Sequence, residues 1–305
     1  MLKTIIIKRL AILLFFFSLL VLFNPLYAGT ETLQTKEVII FFEGPLRQIA
    51  KEVEEIYPDI KSELVGTLKW QVDFRPEIIL VKDKDAFRRM TGSNIVVAFA
   101  VPDENLIVLD TSRVYVKPFT LESTLKHELC HILLHSNIES KNLPRWLDEG
   151  VCQWASGGIA EIIADSGERT LAKAAVSDSM ISIGNLTRFP DDEKSLILAY
   201  EESKSIVEYI VSEYREQGIL QVLEYLKQGY SADDSISKGL LVSTSELENK
   251  WIAHLKRRYS WFSYVSQHIY TILFFLAALA TVYGFIRLLK KKRAYVDEEG
   301  NEKEA

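Results

Sequence analysis

Two dense apolar blocks, at residues 10–23 and 269–286, constrain this chain more than any other feature, and both have to be set aside before a fold can be judged. The second runs 18 residues without a charge, continues through Arg287-Leu288-Leu289 and stops at Lys290, Lys291, Lys292 and Arg293. A core helix is rarely apolar on every face and then closed by four consecutive cations. The block reads instead as a membrane span with a positive inner flank. Trp261, Phe262, Tyr264 and Tyr270 fall on its outer side, where amphipathic rings favour the headgroup layer. The first block follows Lys3, Lys8 and Arg9 and precedes the small-residue step Ala28-Gly29, the order of a secretory signal peptide. An uncleaved signal anchor is the alternative, because Leu26 is an imperfect residue at the third position before the cut.

These readings imply a signal peptide at 1–28, an exported part at 29–260, a single-pass transmembrane helix at 268–289 and a short charged cytoplasmic tail at 290–305. The expected location is the cell membrane, with the main domain extracytoplasmic and the C-terminus cytoplasmic. From Gly29 to Gln267 the chain carries 27 cations and 37 anions, a balance of −10. That argues against a nucleic-acid partner, since phosphate neutralisation needs clustered Lys and Arg. The chain has 2 cysteines, Cys130 and Cys152, too few for a disulfide framework.

The exported part changes character partway along. Strand-like runs at 38–42 (VIIFF), 77–81 (EIILV), 95–101 (IVVAFAV) and 106–110 (LIVLD) alternate with helical periodicity at 46–64 and 85–90. Pro102-Asp103-Glu104-Asn105 separates the last two strands as a hairpin turn would. After Pro118 the signals are nearly all helical: 121–134, 144–154, a long helix within 188–217 starting near Pro190-Asp191-Asp192, and shorter ones at 219–227, 232–238 and 245–258. The expected fold is α+β, an N-terminal lobe at 29–117 with a mixed, partly antiparallel sheet, followed by a helical lobe at 118–260.

His127-Glu128-Leu129-Cys130-His131 is an HExxH motif. On a helix, residues four apart stack on one face about 6 Å apart along the axis. Two imidazoles can converge from there on one Zn²⁺, with Glu128 in reach of a water at the metal. His135 is a poor third ligand, because eight residues of helix advance about 12 Å whereas nitrogens on one zinc lie roughly 4 Å apart or less. A packing, capping or supporting role is expected for it. The missing ligand is sought in Leu143-Pro144-Arg145-Trp146-Leu147-Asp148-Glu149-Gly150. Glu149 is the better candidate and Asp148 the runner-up, as Leu147 and Val151 should point inward. Either acid could instead simply face the positive helix start.

HELCH followed by LPRWLDEGVCQW resembles the peptidase MA-like gluzincins, zinc metallopeptidases of zincin-like fold. The likeness runs over about 83–256 and takes in AFRRMTG, the hairpin IVVAFAVPDENLIVLD and the helix AYEESKSIVEYI. It implies that Glu149 joins His127 and His131 as zinc ligands, that Glu128 is the general base, and that Tyr200 is the candidate donor to the oxyanion, with an ordinary half-buried core tyrosine whose hydroxyl is satisfied as the alternative. It also places an extended peptide along an exposed strand edge at Val97-Ala98-Phe99-Ala100. Two departures stand out: Cys130 occupies a position where Thr is common, and 17 residues separate His131 from Glu149 instead of 18. Cys130 and Cys152 each follow a proposed ligand by three residues. Two buried thiols are expected, with a bridge as the alternative and metal ligation disfavoured because Cys130 points off the histidine face.

The resulting expectation is a membrane-anchored zinc peptidase acting on peptides or proteins near one membrane face. The alternative is a non-proteolytic zinc-containing module of the same fold that binds or senses at the membrane surface. Nothing in the residues sets the oligomeric state.

Overall fold

The computed structural model describes residues 30–117, 119–157 and 167–302, with side chains at all of these except 167–168, 261–267 and 289–302. The expected signal peptide at 1–28, the rings of Trp261, Phe262 and Tyr264 and the cations of 290–293 lie outside the described residues. The described residues divide into two compact units, one within 30–171 and 180–251 and the other within 172–179 and 252–302.

Five strands form one sheet in the first unit: β1 (Thr30–Gln34), β2 (Ile39–Glu43), β3 (Glu77–Val81), β4 (Ala98–Val101) and β5 (Leu106–Asp110), in the order β1-β2-β3-β5-β4. β2, β3 and β5 run parallel, while β1 and β4 are antiparallel to their neighbours, so the sheet is mixed as expected. LIVLD is apolar nearly throughout because all five β5 positions are buried, the signature of a strand covered on both faces. A 3-10 turn at Pro102–Glu104, ended by Asn105 at φ 51°, folds β4 back so that Val101 pairs with Leu106 and Ala98 with Leu109. That leaves β4 at the sheet's edge.

Helix α1 (Arg47–Leu68) buries Ala50, Val53, Tyr57, Ile60, Leu64 and Leu68, a stripe at three- and four-residue spacing, and packs on α3 (Leu121–Asn137). The short α2 (Lys84–Thr91) follows β3. α3 begins with a capping box between Thr120 and Ser123, and every residue from 127 through 134 is buried. α4 (Arg145–Ala155) packs against both α3 and α6 (Glu193–Lys227), and α7 (Ala232–Leu240) packs on α6. Gly150 makes the α4–α6 approach possible, since a Cβ there would lie 2.4 Å from the carbonyl oxygen of Ser203.

The outcome departs from the sequence reading in several elements. β1 and α5 (Gly167–Val176) were not expected. The run at 219–227 continues α6 past a break at Arg215 (φ 60°, ψ 176°). Instead of a helix ending at 258 and a separate span, α8 runs from Thr244 to Glu302. Within it, His268–Leu288 is long and apolar enough to cross a membrane: 21 residues at mean hydropathy 2.1, none of it buried in protein.

Candidate metal centre

The site is made by two helices. α3 brings His127 and His131 round to one face, with their Nε2 atoms 3.1 Å apart. α4 brings Glu149 Oε2 to 3.7 Å from His127 Nε2 and 3.6 Å from His131 Nε2. Both separations are too long for hydrogen bonds, and Glu149 Oε2 is buried with no hydrogen-bond partner. A buried carboxylate oxygen facing two imidazole nitrogens calls for a positive charge beside it, from a protonated imidazole or from a cation held by all three. Ligand atoms around a tetrahedral zinc lie about 3.3 Å apart. The three separations come close to that, and the His₂Glu donor set is one that open zinc sites use. The residues therefore fit the metal.

Each of the three is held from behind. His131 Nδ1 lies 2.8 Å from Asp148 Oδ1, and with Nε2 turned to a metal the Nδ1–H donates to that carboxylate. The other oxygen, Asp148 Oδ2, is 3.0 Å from His135 Nε2, and His135 Nδ1 is 3.1 Å from Ser140 Oγ. Ser156 Oγ stands 3.5 Å from His127 Nδ1. Arg145 Nη2 donates to Glu149 Oε1 at 3.3 Å. Asp148, the runner-up ligand, is thus a support for His131, and His135 braces Asp148, in keeping with its exclusion as a ligand.

The electrostatics follow from burial and neighbours. Burial lowers the pKa of His127. At His131 burial also opposes the charged form, but the carboxylates of Asp148 and Glu149 outweigh it and hold the pKa well above the ordinary value. Asp148 and Glu149 are both pulled down despite burial, Asp148 by His131 and His135, Glu149 by His131, His127 and Arg145. The acids are accordingly carboxylates across the neutral range. Glu128, the expected base, is fully buried on the same turn of α3.

A cavity of about 480 Å³ opens beside the site, lined by Phe99, Ala100 and Val101 of β4 on one side and by His131, Arg145 and Glu149 on the other. Of the expected exposed edge at 97–100, Phe99 and Ala100 line the cavity beside the candidate ligands, whereas Val97 and Ala98 are fully buried. Tyr200 is 3% exposed and is not among the lining residues. Its hydroxyl is brought to the site through Arg145, whose Nη2 donates to it at 3.3 Å. Arg145 itself escaped the sequence reading, although its place four residues before Glu149 on a helix was a usable signal.

Cys130 and Cys152 are bonded to one another, against the expectation of two thiols. The cause is helix geometry: each cysteine sits three residues after a site residue, so bringing Glu149 to the histidines also brings the two Cα atoms to 5.4 Å.

Two histidines from one helix and a glutamate from the next, beside a sheet edge in an α+β domain, make a candidate His₂Glu metal centre. The chain belongs to the Peptidase MA superfamily, whose family model matches residues 91–257, more than half its length. No curated protein matches the chain. Among the 33 solved chains that do is a crystal structure of a mutant M1 zinc metallopeptidase from Deinococcus radiodurans, 10% identical, with a TM-score of 0.42 over 73% of this chain and 51% of that one. This chain thus spans about half the length of that enzyme.

Proposed function

We propose that the protein is a membrane-anchored, extracytoplasmic zinc metallopeptidase of the gluzincin type, with His127, His131 and Glu149 as the metal ligands. The observation that carries this reading is the convergence of two Nε2 atoms and an unpartnered buried carboxylate oxygen on one point. Zinc held there would bring the pKa of a water to about 7 and polarise the scissile carbonyl. Glu128, between the histidines in the motif, takes the proton of the attacking water on a carboxylate oxygen and passes it to the leaving amine. Asp148 holds the imidazole of His131 in the tautomer that leaves Nε2 unprotonated. An extended peptide pairs with the edge of β4, whose backbone supplies affinity without demanding particular side chains. Tyr200, its hydroxyl one guanidinium away from Glu149, is the proposed donor to the oxyanion.

Two features support the location. The only two cysteines of the chain form a disulfide, a bond that persists in oxidising compartments. The apolar window His268–Leu288, none of it buried, followed by the cations at 290–293, supports a single-pass anchor with its C-terminus on the cytoplasmic side.

The test is metal content and turnover of a general peptide library by the full-length protein in detergent, with and without Glu128→Gln. One zinc per chain in both forms, with turnover reduced about 10²–10⁴-fold in the variant, is the expected result. A variant as active as the parent would reject Glu128 as the base. Zinc with no turnover in the parent would favour the binding or sensing module.

A further inference from the structure

We infer that Arg145 is a positioning residue, setting which oxygen of Glu149 faces the histidines and tying that carboxylate to Tyr200. The inference rests on the reading of the site as a zinc centre. A glutamate carboxylate turns readily about its last bond, because that torsion is broad and two-fold, so burial among imidazoles does not by itself decide which oxygen points where. Here the two oxygens are in different surroundings. Oε1 accepts from Arg145 Nη2 at 3.3 Å, whereas Oε2 has no hydrogen-bond partner and lies 3.6 and 3.7 Å from the imidazole nitrogens.

Arg145 is suited to this by position and by chemistry. It is the first residue of α4, one turn ahead of Glu149, so its side chain lies along the same flank of the helix. Its guanidinium sits over the ring of Phe189, 5.0 Å from the centroid, and Phe189 meets the Tyr200 ring edge-on at 5.0 Å. The cation–π contact holds the guanidinium over Phe189, and one nitrogen serves both the carboxylate and the Tyr200 hydroxyl at 3.3 Å. A lysine keeps the charge but has neither the planar fork nor the stacked face. Loss of Arg145 therefore releases Glu149 to swing and breaks the link from its carboxylate to the Tyr200 hydroxyl.

The experiment compares the full-length protein in detergent with Arg145→Gln, Arg145→Lys and Phe189→Leu. Zinc affinity is measured by competition with a chromophoric chelator, and the ligand-field spectrum is recorded on the cobalt-loaded form. Arg145→Gln is expected to bind zinc about 10–100-fold more weakly, the usual consequence of removing an outer-shell partner, with an altered cobalt spectrum. Arg145→Lys should recover part of the affinity, and Phe189→Leu should shift the spectrum in the same direction by less. Because Arg145 is 47% exposed at its side chain, its replacement leaves the core intact. Should Arg145→Gln nonetheless not fold, the Phe189→Leu and Arg145→Lys spectra decide the matter. Unchanged affinity and superimposable spectra in the folded variants overturn the inference alone. A parent protein that takes up no zinc overturns the reading of the site as well.

Discussion

Helices α3 and α8 reverse the ordinary partition of side chains in opposite ways. α3 buries two imidazoles and a carboxylate along with its leucines. α8 leaves Leu273, Phe274, Phe275, Leu276 and Leu279 all more than half exposed. Imidazoles and carboxylates are rarely taken out of water unless they are paired or coordinate a metal, and a water-soluble chain rarely presents so continuous an apolar surface. On the proposed reading each exception has its counterpart outside the chain, a cation for α3 and hydrocarbon for α8. The difference teaches that the composition of a helix says little until the medium on each face is known.

The largest expected effect comes from loosening the buried pair α3 and α4. Cys130 and Cys152 close a loop with a sequence separation of 22, and both are fully buried. Replacing both by Ser should lower unfolding stability by about 3 kcal/mol, read from denaturant melts of the metal-free protein. A double variant as stable as the parent would mean that packing alone holds the ligand-bearing helices together, and that the contrast with α8 lies only in burial.

What the residues revealed beforehand follows the same division. β3 and β5 were legible in EIILV and LIVLD because their runs are apolar and bounded, and α3 because HExxH has meaning only at helical spacing. β1 was not, since TETLQ is a half-exposed edge segment with one large apolar residue. The disulfide and the work of Asp148 and Arg145 depend on how α4 lies across α3 and α6. That placement is set by contacts such as Gly150 against Ser203 and the bond from Trp146 N–H to the Leu186 carbonyl, which no local pattern encodes. The continuity of α8 was missed for a related reason: its polar first part and apolar second part suggest two elements, while the backbone hydrogen bonds need no change of medium to continue.

A smaller effect should come from a buried acid outside the ligand cluster. Glu202 on α6 is inaccessible to solvent; its Oε1 accepts from Ile181 N–H at 3.0 Å, and its Oε2 has no partner. Burial pushes its pKa up to about 8, against the pull of the Ile181 N–H and with help from the Glu248 carboxylate. A pKa raised on folding means that the folded state holds its proton more tightly than the unfolded chain. The resulting stability is complete below about 4.5 and is lost as pH rises towards about 8. Between pH 6 and pH 7 the parent should lose on the order of 1 kcal/mol from this group. Glu202→Gln, which keeps an acceptor for Ile181 N–H, should flatten that slope in melts taken across the range. An unchanged slope would show that Glu202 ionises in place and that water reaches α6.

The smallest effect tests the α8 side of the comparison. In a protein core, Leu→Ala costs about 2–5 kcal/mol because the lost transfer energy is joined by a cavity. Leu276 is 57% exposed and lies within the apolar window of α8, so no cavity can form there and no protein contact of consequence is lost. Leu276→Ala should leave the thermal unfolding of the extramembrane part within about 0.5 kcal/mol of the parent. The side chain should matter instead to partition: charge at the same place, as in Leu276→Arg, adds about 2.5–3.5 kcal/mol to the cost of insertion at the centre of a span. The protein would then shift from the membrane to the soluble fraction on cell fractionation, with its melting behaviour unchanged. If Leu276→Ala instead destabilised the folded domain as a core leucine does, the window would be covered by protein, and the reading of α8 as a hydrocarbon-facing helix would fail while the site on α3 and α4 stood unaffected.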